Sequence, residues 1–327
     1  MPATSRPDPT PLAGHHVLVT GGAGLIGSHL VDALIARGAR VTCVDDFRSG
    51  TRANLARAAA SGRLTVVERS VTDLEPVDAD LVFNLACPAS PTFYQRDPVG
   101  TIETCVLGAM RAFAIARSRG VPVVHTSTSE VYGDPEVHPQ TEDYWGHVNP
   151  VGVRACYDEG KRCVEALAAS HAQQHGQDIR IARIFNTYGP RMRSDDGRVV
   201  SNFIVQALAG RPLTLHGDGT QTRSFCYVGD TVAGLLALAA ARPAPFAPVN
   251  LGNPEEVSMA DLAKRVVALT ASRSAIVVEG RPQDDPHRRR PDITRARERL
   301  GWSPTVPLDE GLRRTIDDFR GRSAMAA

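Results

Sequence analysis

Short apolar runs alternate with longer amphipathic stretches along the first half of the chain. The apolar runs have the length of buried strands and lie at residues 16–20, 40–44, 64–68, 81–86, 121–126 and 179–184. Helical spacing of apolar residues is found in the stretch up to 37 and within 52–61, 101–119 and 157–175. Buried strands that alternate with helices are typical of a parallel sheet covered on both faces. The pattern therefore predicts an α/β fold built on a doubly wound parallel sheet.

A glycine-rich segment joins the first strand to the first helix. Gly21, Gly24 and Gly27 permit a tight turn, close approach of the backbone to a pyrophosphate, and close packing of helix on strand. The amides at the start of the helix, around Leu25 and Ile26, would then meet the phosphates. A glycine motif alone is weak evidence, but here a strand precedes it, a helix follows it and a second strand comes next. The motif therefore predicts a Rossmann-type dinucleotide site.

Acidic residues at the tip of the second strand favour one dinucleotide over the other. Asp45, eighteen residues past Gly27, suits an adenosine ribose with free hydroxyls and would repel a 2′-phosphate. Asp46 adds to that repulsion, whereas Arg48 favours a phosphate. The balance predicts NAD rather than NADP. Further predicted cofactor contacts are Asp73, at the adenine edge, and Leu85 and Ala86, at the end of the fourth strand.

A tyrosine and a lysine four residues apart are the candidate catalytic pair. Tyr157 and Lys161 fall in a helical pattern and therefore project from one face. A fixed positive charge beside a phenol is expected to lower the tyrosine pKa from about 10 toward neutrality, where a general base is most useful. The hydroxyls of Thr128 and Ser129, after the strand at 121–126, would align a substrate hydroxyl. The spacing also occurs by chance on helices, so this interpretation depends on the cofactor site.

After Phe185, loops and short helices replace the regular alternation of strands and helices. We expect residues 14–185 to form the NAD-binding Rossmann domain and residues 186–327 to form mainly a smaller, mixed α/β, substrate-binding domain. A segment near 224–242 is expected to return to the first lobe. Residues 1–13 lack the apolar core of a signal peptide and are predicted to be a disordered leader.

Composition and charge give no sign of several classes of partner. The 327 residues include 37 basic and 36 acidic side chains, and a net charge of +1 gives no reason to expect nucleic-acid or membrane binding. No apolar run in the sequence approaches the length of a membrane span. The six cysteines show no C-x-x-C spacing and lie mostly among apolar residues. We therefore expect reduced thiols, no metal site and a cytoplasmic protein.

Longer motifs resemble one family. The glycine motif together with Tyr157-x-x-x-Lys161 is similar to the extended short-chain dehydrogenase/reductases that act on nucleotide sugars. Segments that resemble the UDP-glucuronate decarboxylases, which form UDP-xylose, lie at 127–135, 138–140, 149–154, 157–162, 185–192, 196–203, 221–225 and 284–286. The resemblance runs from about residue 15 to 320. Its most specific position is Ser129-Glu130, because related dehydratases usually carry Asp-Glu there and 4-epimerases usually carry small residues without the acid.

The resemblance implies an NAD-dependent decarboxylation of UDP-glucuronate to UDP-xylose. Tyr157 would take the proton from the sugar 4-hydroxyl, held by Thr128, while C4 gives a hydride to NAD. The resulting β-keto acid would lose carbon dioxide, because the electrons flow into the new C4 carbonyl. Reprotonation at C5 and return of the hydride would give the pentose.

The same resemblance implies substrate contacts and a homodimer. Arg289, assisted by Ser129, would grip the sugar carboxylate. Glu130 would either orient a proton-donating water or crowd that carboxylate with like charge. Helices near 101–119 and 157–175 would pack across a two-fold axis into a four-helix bundle. The other implied substrate contacts are Asn186, Arg191, Arg198, Val200, Phe203 and Arg223, and Tyr157 and Lys161 are also implied cofactor contacts.

Four positions depart from the family pattern, and other activities stay open. Asn84 stands where His is common, Cys87 and Cys105 replace Ser and Asn, and Asp46 replaces Asn. The first three are expected near the nicotinamide, where they could alter cofactor retention or let a 4-keto intermediate escape. The alternatives are a nucleotide-sugar 4-epimerase, a 4,6-dehydratase and a non-catalytic NAD-binding protein. Product analysis separates them, because only decarboxylation releases carbon dioxide.

Overall fold

The computed structural model describes residues 12–242, 246–280 and 286–326. The strands are β1 (His16–Thr20), β2 (Arg40–Asp45), β3 (Leu64–Glu68), β4 (Leu81–Asn84), β5 (Val123–Thr128), β6 (Ile179–Ile184), β7 (Thr187–Tyr188), β8 (Leu213–His216), β9 (Thr222–Ser224), β10 (Cys226–Tyr227), β11 (Val249–Leu251), β12 (Glu256–Ser258), β13 (Ile276–Glu279) and β14 (Arg288–Arg289). The α-helices are α1 (Leu25–Ala36), α2 (Ala56–Ala59), α3 (Pro91–Tyr94), α4 (Pro98–Arg119), α5 (Ala155–His175), α6 (Val199–Leu208), α7 (Val228–Ala240), α8 (Met259–Thr270), α9 (Thr294–Leu300) and α10 (Leu308–Ala326). Short 3-10 turns lie at Arg52–Leu55, Val71–Asp73 and Ser129–Tyr132. The predicted leader lies outside the described residues except at positions 12 and 13, as does the motif at 284–286 except for Pro286.

The central sheet has the strand order β3-β2-β1-β4-β5-β6-β11. Every neighbouring pair in it is parallel. The order reverses beside β1, because β2 and β3 continue on one side of it and β4 to β6 on the other. Ligands of such sheets bind where the order reverses, outside the carboxyl ends of the strands. The predicted α/β class and the Rossmann-type parallel sheet are confirmed.

Apolar helix faces cover both sides of the sheet. On one side, α1 and α7 bury Leu30, Leu34 and Leu235 completely. On the other side, α4 and α5 bury Phe113 and Val164. Each such side chain contributes roughly 1.5–3 kcal/mol when it is removed from water. The helices that carry the site are therefore fixed to the sheet by continuous apolar packing.

Helix α4 begins and ends at clear capping residues. The Asp97 carboxylate accepts a hydrogen bond from the Gly100 amide, and Gly120 ends the helix in the left-handed conformation with φ of 64°. Among the described helices, α4 is the one whose length and apolar content would suffice to cross a membrane, which the sequence pattern did not anticipate. Half of that stretch is buried, because α4 packs along α5 and the 3-10 turn Val71–Asp73. Its apolar composition is thus explained in part by packing inside the protein.

The second lobe is built on α6, α8 and α10 with two small sheets. Its core includes Phe203, Leu262 and Leu312, all buried. The chain then returns to the first lobe, because α7 packs on α1 and β11 forms the seventh strand of the central sheet. This return extends beyond the predicted segment near 224–242. The division into domains at residue 185 stays a prediction.

Two elements differ from those predicted from the sequence in a way that affects the site. The helix predicted over 52–61 is a 3-10 turn followed by α2, which has only four residues. The strand predicted over 121–126 instead spans Val123–Thr128, because Gly120 ends α4 only just before it. Thr128 is therefore the last residue of β5 and lies at the carboxyl edge of the sheet.

Candidate active site

A cavity of about 560 Å³ lies at the carboxyl ends of β1, β2, β4 and β5 and extends into the second lobe. The residues proposed from the sequence that line it are Gly21, Gly24, Leu25, Ile26, Gly27, Asp45, Asp46, Leu85, Ala86, Thr128, Ser129, Glu130, Tyr157, Lys161, Asn186, Arg191, Arg198, Val200, Phe203, Arg223 and Arg289. Asp73 is not among the lining residues. It is exposed at the end of the 3-10 turn Val71–Asp73, and Val71 lines the cavity instead. The predicted contact of Asp73 with an adenine is therefore not supported.

The glycine loop forms a cradle that side chains would fill. A Cβ atom on Gly21 would lie 2.8 Å from the Ala86 backbone nitrogen, and one on Gly27 would lie 2.1 Å from the Gly21 carbonyl oxygen. Gly24 is the N-cap of α1 and has no side chain to accept from the first amides of the helix. Those amides are thus left for an anion in the cavity, which is the arrangement that a pyrophosphate requires.

Asp45 holds the glycine loop as well as lining the cavity. Its Oδ2 accepts a hydrogen bond from the Ala23 amide at 2.9 Å, and its Oδ1 accepts from the Phe47 amide at 2.8 Å. Burial raises the pKa of Asp45, although these two amides oppose the rise. Beside it, Arg48 donates from Nε to Asp46 Oδ2 at 2.6 Å. The cation that would favour a 2′-phosphate is therefore already paired with a carboxylate.

Tyr157 and Lys161 both line the cavity from α5, one helical turn apart. The Tyr157 ring stacks on Tyr94, with centroids 5.2 Å apart and planes within 3°. Lys161 Nζ donates to the Thr126 carbonyl at 2.7 Å and lies 5.9 Å from the centre of the Tyr157 ring. Helix and strand thus fix both side chains.

The protonation of Tyr157 differs from the sequence-based expectation. Burial raises the pKa of Tyr157 well above its ordinary value, and the nearby Cys87 thiol adds to the rise. A hydrogen bond with the Thr128 hydroxyl lowers it, but does not outweigh burial. The expected depression of this pKa is wrong for the structure described, because burial outweighs the groups that lower it. Tyr157 is therefore a neutral phenol in the structure described.

Glu130 lies between two arginines. Arg289 donates from Nη1 to Oε1 at 2.5 Å and from Nη2 to Oε2 at 2.8 Å, while Arg154 donates from Nη2 to Oε2 at 2.6 Å. Burial alone would raise the pKa of Glu130, but the two guanidinium groups lower it to about 2. Glu130 is therefore an anion at neutral pH. Its carboxylate occupies the fork of Arg289, the residue expected to hold the substrate carboxylate.

The sequence analysis did not name Arg154 or Tyr94 as site residues, although both line the cavity and Arg154 ends the segment 149–154 that resembles the family. Asp158, one turn after Arg154, is also buried, and its Oδ2 lies 4.0 Å from Arg154 Nε. Burial and the Glu130 charge raise the pKa of Asp158 to about 8, although Arg154 and Arg289 oppose the rise. The spacing of Arg154 three residues before Tyr157 was an available signal, because residues three apart share a helix face.

Three further arginines line the cavity and are each engaged within the chain. Arg191 donates to Asp32 Oδ2 at 2.6 Å, and Arg198 donates to both oxygens of Asp196. Arg223 donates to the Pro286 carbonyl at 2.6 Å. Asn186 contacts the Ser224 carbonyl at 3.5 Å, and Val200 and Phe203 are buried on α6. These residues surround the end of the cavity that faces the second lobe.

The departures from the family pattern fall on both sides of the cavity wall. Cys87 lines the cavity, and its Sγ lies 2.9 Å from Sγ of the buried Cys105. Asn84 is buried behind the wall, where it accepts from the Thr20 hydroxyl at 2.7 Å and contacts His125 Nδ1 at 3.0 Å. Among Asn84, Cys87 and Cys105, Cys87 is thus the one that a bound molecule could touch directly, and Asp46, the fourth departure, also lines the cavity.

Known proteins match this chain over nearly its whole length. The family model described as "NAD dependent epimerase/dehydratase family" matches residues 17–252. UDP-glucuronic acid decarboxylase 6 of Arabidopsis thaliana is 50% identical over 329 aligned residues, which cover 98% of this chain and 95% of the relative.

Solved structures of related enzymes have the same fold. The UDP-glucose 4-epimerase of Thermotoga maritima, solved with UDP-glucose, has a TM-score of 0.85 and 30% identity and covers 94% of this chain and 99% of its own. The UDP-glucuronic acid 4-epimerase of Bacillus cereus, solved with UDP-glucuronic acid and NAD, has a TM-score of 0.85 and 27% identity with the same coverage. From the family match and the near full-length identity, the chain belongs to the NAD-dependent epimerase/dehydratase family and, within it, to the UDP-glucuronic acid decarboxylases.

Proposed function

We propose that this protein decarboxylates UDP-glucuronate to UDP-xylose, with NAD as a cofactor that is restored in each cycle. The observation that carries the proposal is the position of Arg289 in the same cavity as Tyr157, with its guanidinium fork filled by a carboxylate, that of Glu130. A sugar carboxylate is the same chemical group. The relatives named UDP-glucuronic acid decarboxylases support the same substrate.

The glycine cradle fits a dinucleotide. We assign the pyrophosphate to the amides that follow Gly24 and the adenosine ribose to Asp45. NAD is proposed rather than NADP because Arg48 is paired with Asp46. NAD, when bound, supplies the acceptor for the C4 hydride and later returns that hydride.

Tyr157 and Thr128 are assigned to the sugar 4-hydroxyl. Tyr157 is a neutral phenol in the structure described, so it must first release its own proton to solvent. The phenolate then takes the proton of the 4-hydroxyl when C4 is oxidised, and Thr128 hydrogen-bonds the same oxygen. Lys161, buried and fixed on the Thr126 carbonyl, contributes a positive charge near the phenol when the phenolate forms. Tyr157 returns the proton when the ketone is reduced.

Loss of carbon dioxide follows from the position of the carboxylate. Once C4 is a ketone, the carboxylate on C5 is β to it, and breaking the bond from C5 to the carboxylate carbon moves the electron pair into an enolate at C4. We assign the Thr128 hydroxyl and the Tyr157 phenol, which both line the cavity, to hydrogen bonds with that enolate oxygen. A proton delivered to C5 then gives the 4-keto-pentose, and return of the hydride to C4 would complete the pentose.

Incubation of the purified protein with UDP-glucuronate, with and without added NAD, tests the proposal. We expect UDP-xylose and one carbon dioxide per substrate consumed, with UDP-glucose as a control that releases none. Appearance of UDP-galacturonate, which has the mass of the substrate and separates from it by chromatography, would instead indicate a 4-epimerase. Accumulation of the UDP-4-keto-pentose would point to Cys87 beside the cavity. Absence of any product would contradict the proposed substrate.

We also propose a homodimer formed through α4 and α5. Val99, Ile102, Leu107 and Met110 are 66%, 39%, 44% and 48% exposed. Their spacing places them along one side of α4. A stripe of this kind on a helix that is otherwise packed in the protein suits association with a second copy.

Charge placed on this stripe is expected to separate the subunits. Leu107→Glu should give a monomer, measured by light scattering during size exclusion, where the parent protein should have twice the chain mass. Val278→Glu is the matched control, since Val278 is 66% exposed on β13 in the other lobe. A monomeric parent protein, or a dimer that survives Leu107→Glu, would contradict an interface on α4.

A further inference from the structure

The charge cluster around Glu130 contains one more cation than the Arg289–Glu130 pair requires. Arg154 and Arg289 each contribute a positive charge, and Glu130 contributes one negative charge. Burial and the Glu130 charge raise the pKa of Asp158, which favours its neutral form. The two guanidinium groups and the Glu130 carboxylate that they share by hydrogen bonds therefore carry one net positive charge among them. The side chains of Arg154, Glu130 and Arg289 are only 13%, 13% and 3% exposed, so water screens this charge weakly.

The two arginines also have hydrogen-bond donors that the chain does not use. Nε of Arg154 and Nε of Arg289 are buried and have no acceptor within hydrogen-bond distance among the described residues. Both residues line the cavity. Buried donors are normally paired, so an acceptor that enters the cavity is the natural partner. The net charge and these donors together favour an acceptor that is an anion.

A substrate carboxylate that approaches Arg289 must compete with Glu130. Both terminal nitrogens of Arg289 are already bound to the oxygens of Glu130. Without a second cation, the exchange would leave a buried carboxylate uncompensated, which is strongly unfavourable. Arg154 provides that second cation, because its own bond to Glu130 at 2.6 Å does not involve Arg289.

We infer that Arg154 is a positioning residue that determines selectivity for sugars with a carboxylate at C5, because it keeps Glu130 paired while Arg289 turns to the substrate. Its place in the fold suits this role. Arg154 is the N-cap of α5, and its carbonyl accepts from the Tyr157 and Asp158 amides at 3.0 Å and 3.1 Å. The helix that carries the candidate base thereby also fixes the second cation. The inference rests on the proposed function for the identity of the substrate carboxylate.

Binding of two ligands that differ in the carboxylate tests the inference. With the NAD-loaded protein in a Tyr157→Phe background, where turnover is slow, calorimetry gives dissociation constants for UDP-glucuronate and for UDP-xylose, and their ratio measures selection for the carboxylate. Arg154→Gln is expected to reduce this selection by about 10- to 100-fold, the range for a buried charge-assisted hydrogen bond, while UDP-xylose affinity changes by less than about threefold. Arg154→Lys, which restores the charge, is expected to recover most of the selection.

A pH series separates this role from a structural one. The groups that interact electrostatically across the Glu130 cluster are Arg154, Asp158 and Tyr157 of α5, Arg289 of β14 and Tyr94 of α3. In the Arg154→Gln protein, the pKa of Glu130 rises because one of its two cations is lost. A proton on Glu130 then replaces the missing cation, so UDP-glucuronate affinity of the variant is expected to recover as the pH falls, whereas that of the parent protein is not.

Each result of these experiments either supports or overturns the role of Arg154 in selecting the carboxylate. Arg162→Gln is the control, because Arg162 lies on the same helix but donates to the Val131 and Trp145 carbonyls, and it should leave the ratio unchanged. Equal weakening of both ligands by Arg154→Gln, or an unchanged ratio, would overturn the inference. Failure of the parent protein to release carbon dioxide would refute the proposed function, whereas the binding ratio still reports whether Arg154 selects the carboxylate.

Discussion

Replacement of Tyr157 by phenylalanine is expected to reduce kcat for UDP-glucuronate by about 10³-fold, which corresponds to roughly 4 kcal/mol in the barrier. The substitution removes the phenol oxygen that hydrogen-bonds Thr128, but keeps the ring that stacks on Tyr94. The dissociation constants of NAD and of the UDP-sugar should change by less than about threefold, because the lost group acts on the transition state. Steady-state rates and calorimetric titration measure the two effects.

Tyr94→Phe is the matched control for this change. Tyr94 faces the same stack, its oxygen is buried without a hydrogen bond to the described residues, and its pKa is raised by burial. Removal of that oxygen should leave kcat within about threefold of the parent value, with unfolding temperature unchanged or slightly higher. A Tyr157→Phe protein that keeps a tenth or more of the parent kcat would show that another group takes the proton.

The cofactor half of the site could be predicted because its signals are local. Gly21, Gly27 and Asp45 lie within one strand-helix-strand unit, so a short stretch of sequence contains both the turn and the carboxylate that closes it. The alternation of apolar runs predicted the sheet in the same way, because parallel strands that are buried on both faces consist mostly of apolar residues.

The charges of the substrate half could not be predicted, because they depend on contacts between distant positions. Glu130 follows β5, Arg154 is the N-cap of α5 and Arg289 lies on β14, and only the folded chain brings them within hydrogen-bond distance. The protonation of Tyr157 is a related case, because burial decides its pKa and burial is a property of the whole fold. Spacing along a helix placed Lys161 correctly beside Tyr157 but gave the wrong direction for the shift.

The sequence pattern also could not predict the directions of single side chains or the presence of very short elements. Asp73 ends a three-residue 3-10 turn and is exposed, whereas Val71, two positions earlier, lines the cavity. The three residues of β11 are too few to show a period, so the strand that completes the sheet gave no signal of its own.

Replacement of Arg289 by glutamine is expected to have the other large effect, a fall in kcat/KM for UDP-glucuronate of about 10³-fold. The change removes the guanidinium fork, and Glu130 then faces the incoming carboxylate with Arg154 as its remaining cation. The net positive charge of the cluster disappears, and two carboxylates compete for one guanidinium group. Affinity for UDP-xylose, which has no carboxylate, should change by less than about threefold.

Two further variants test whether the effect of Arg289→Gln comes from the loss of a partner for the substrate carboxylate. Arg290→Gln is the control, since Arg290 is half-buried next in the chain, lies 3.9 Å from Glu256 and does not line the cavity, so it should leave kcat/KM within about threefold. Adding Glu130→Gln to Arg289→Gln removes the competing carboxylate and restores one net positive charge. The double variant should therefore bind UDP-glucuronate more tightly than Arg289→Gln alone, although its turnover stays low. Equal loss of UDP-glucuronate and UDP-xylose binding in Arg289→Gln would contradict a role in holding the carboxylate and would indicate that Arg289 instead supports the fold of the cavity wall.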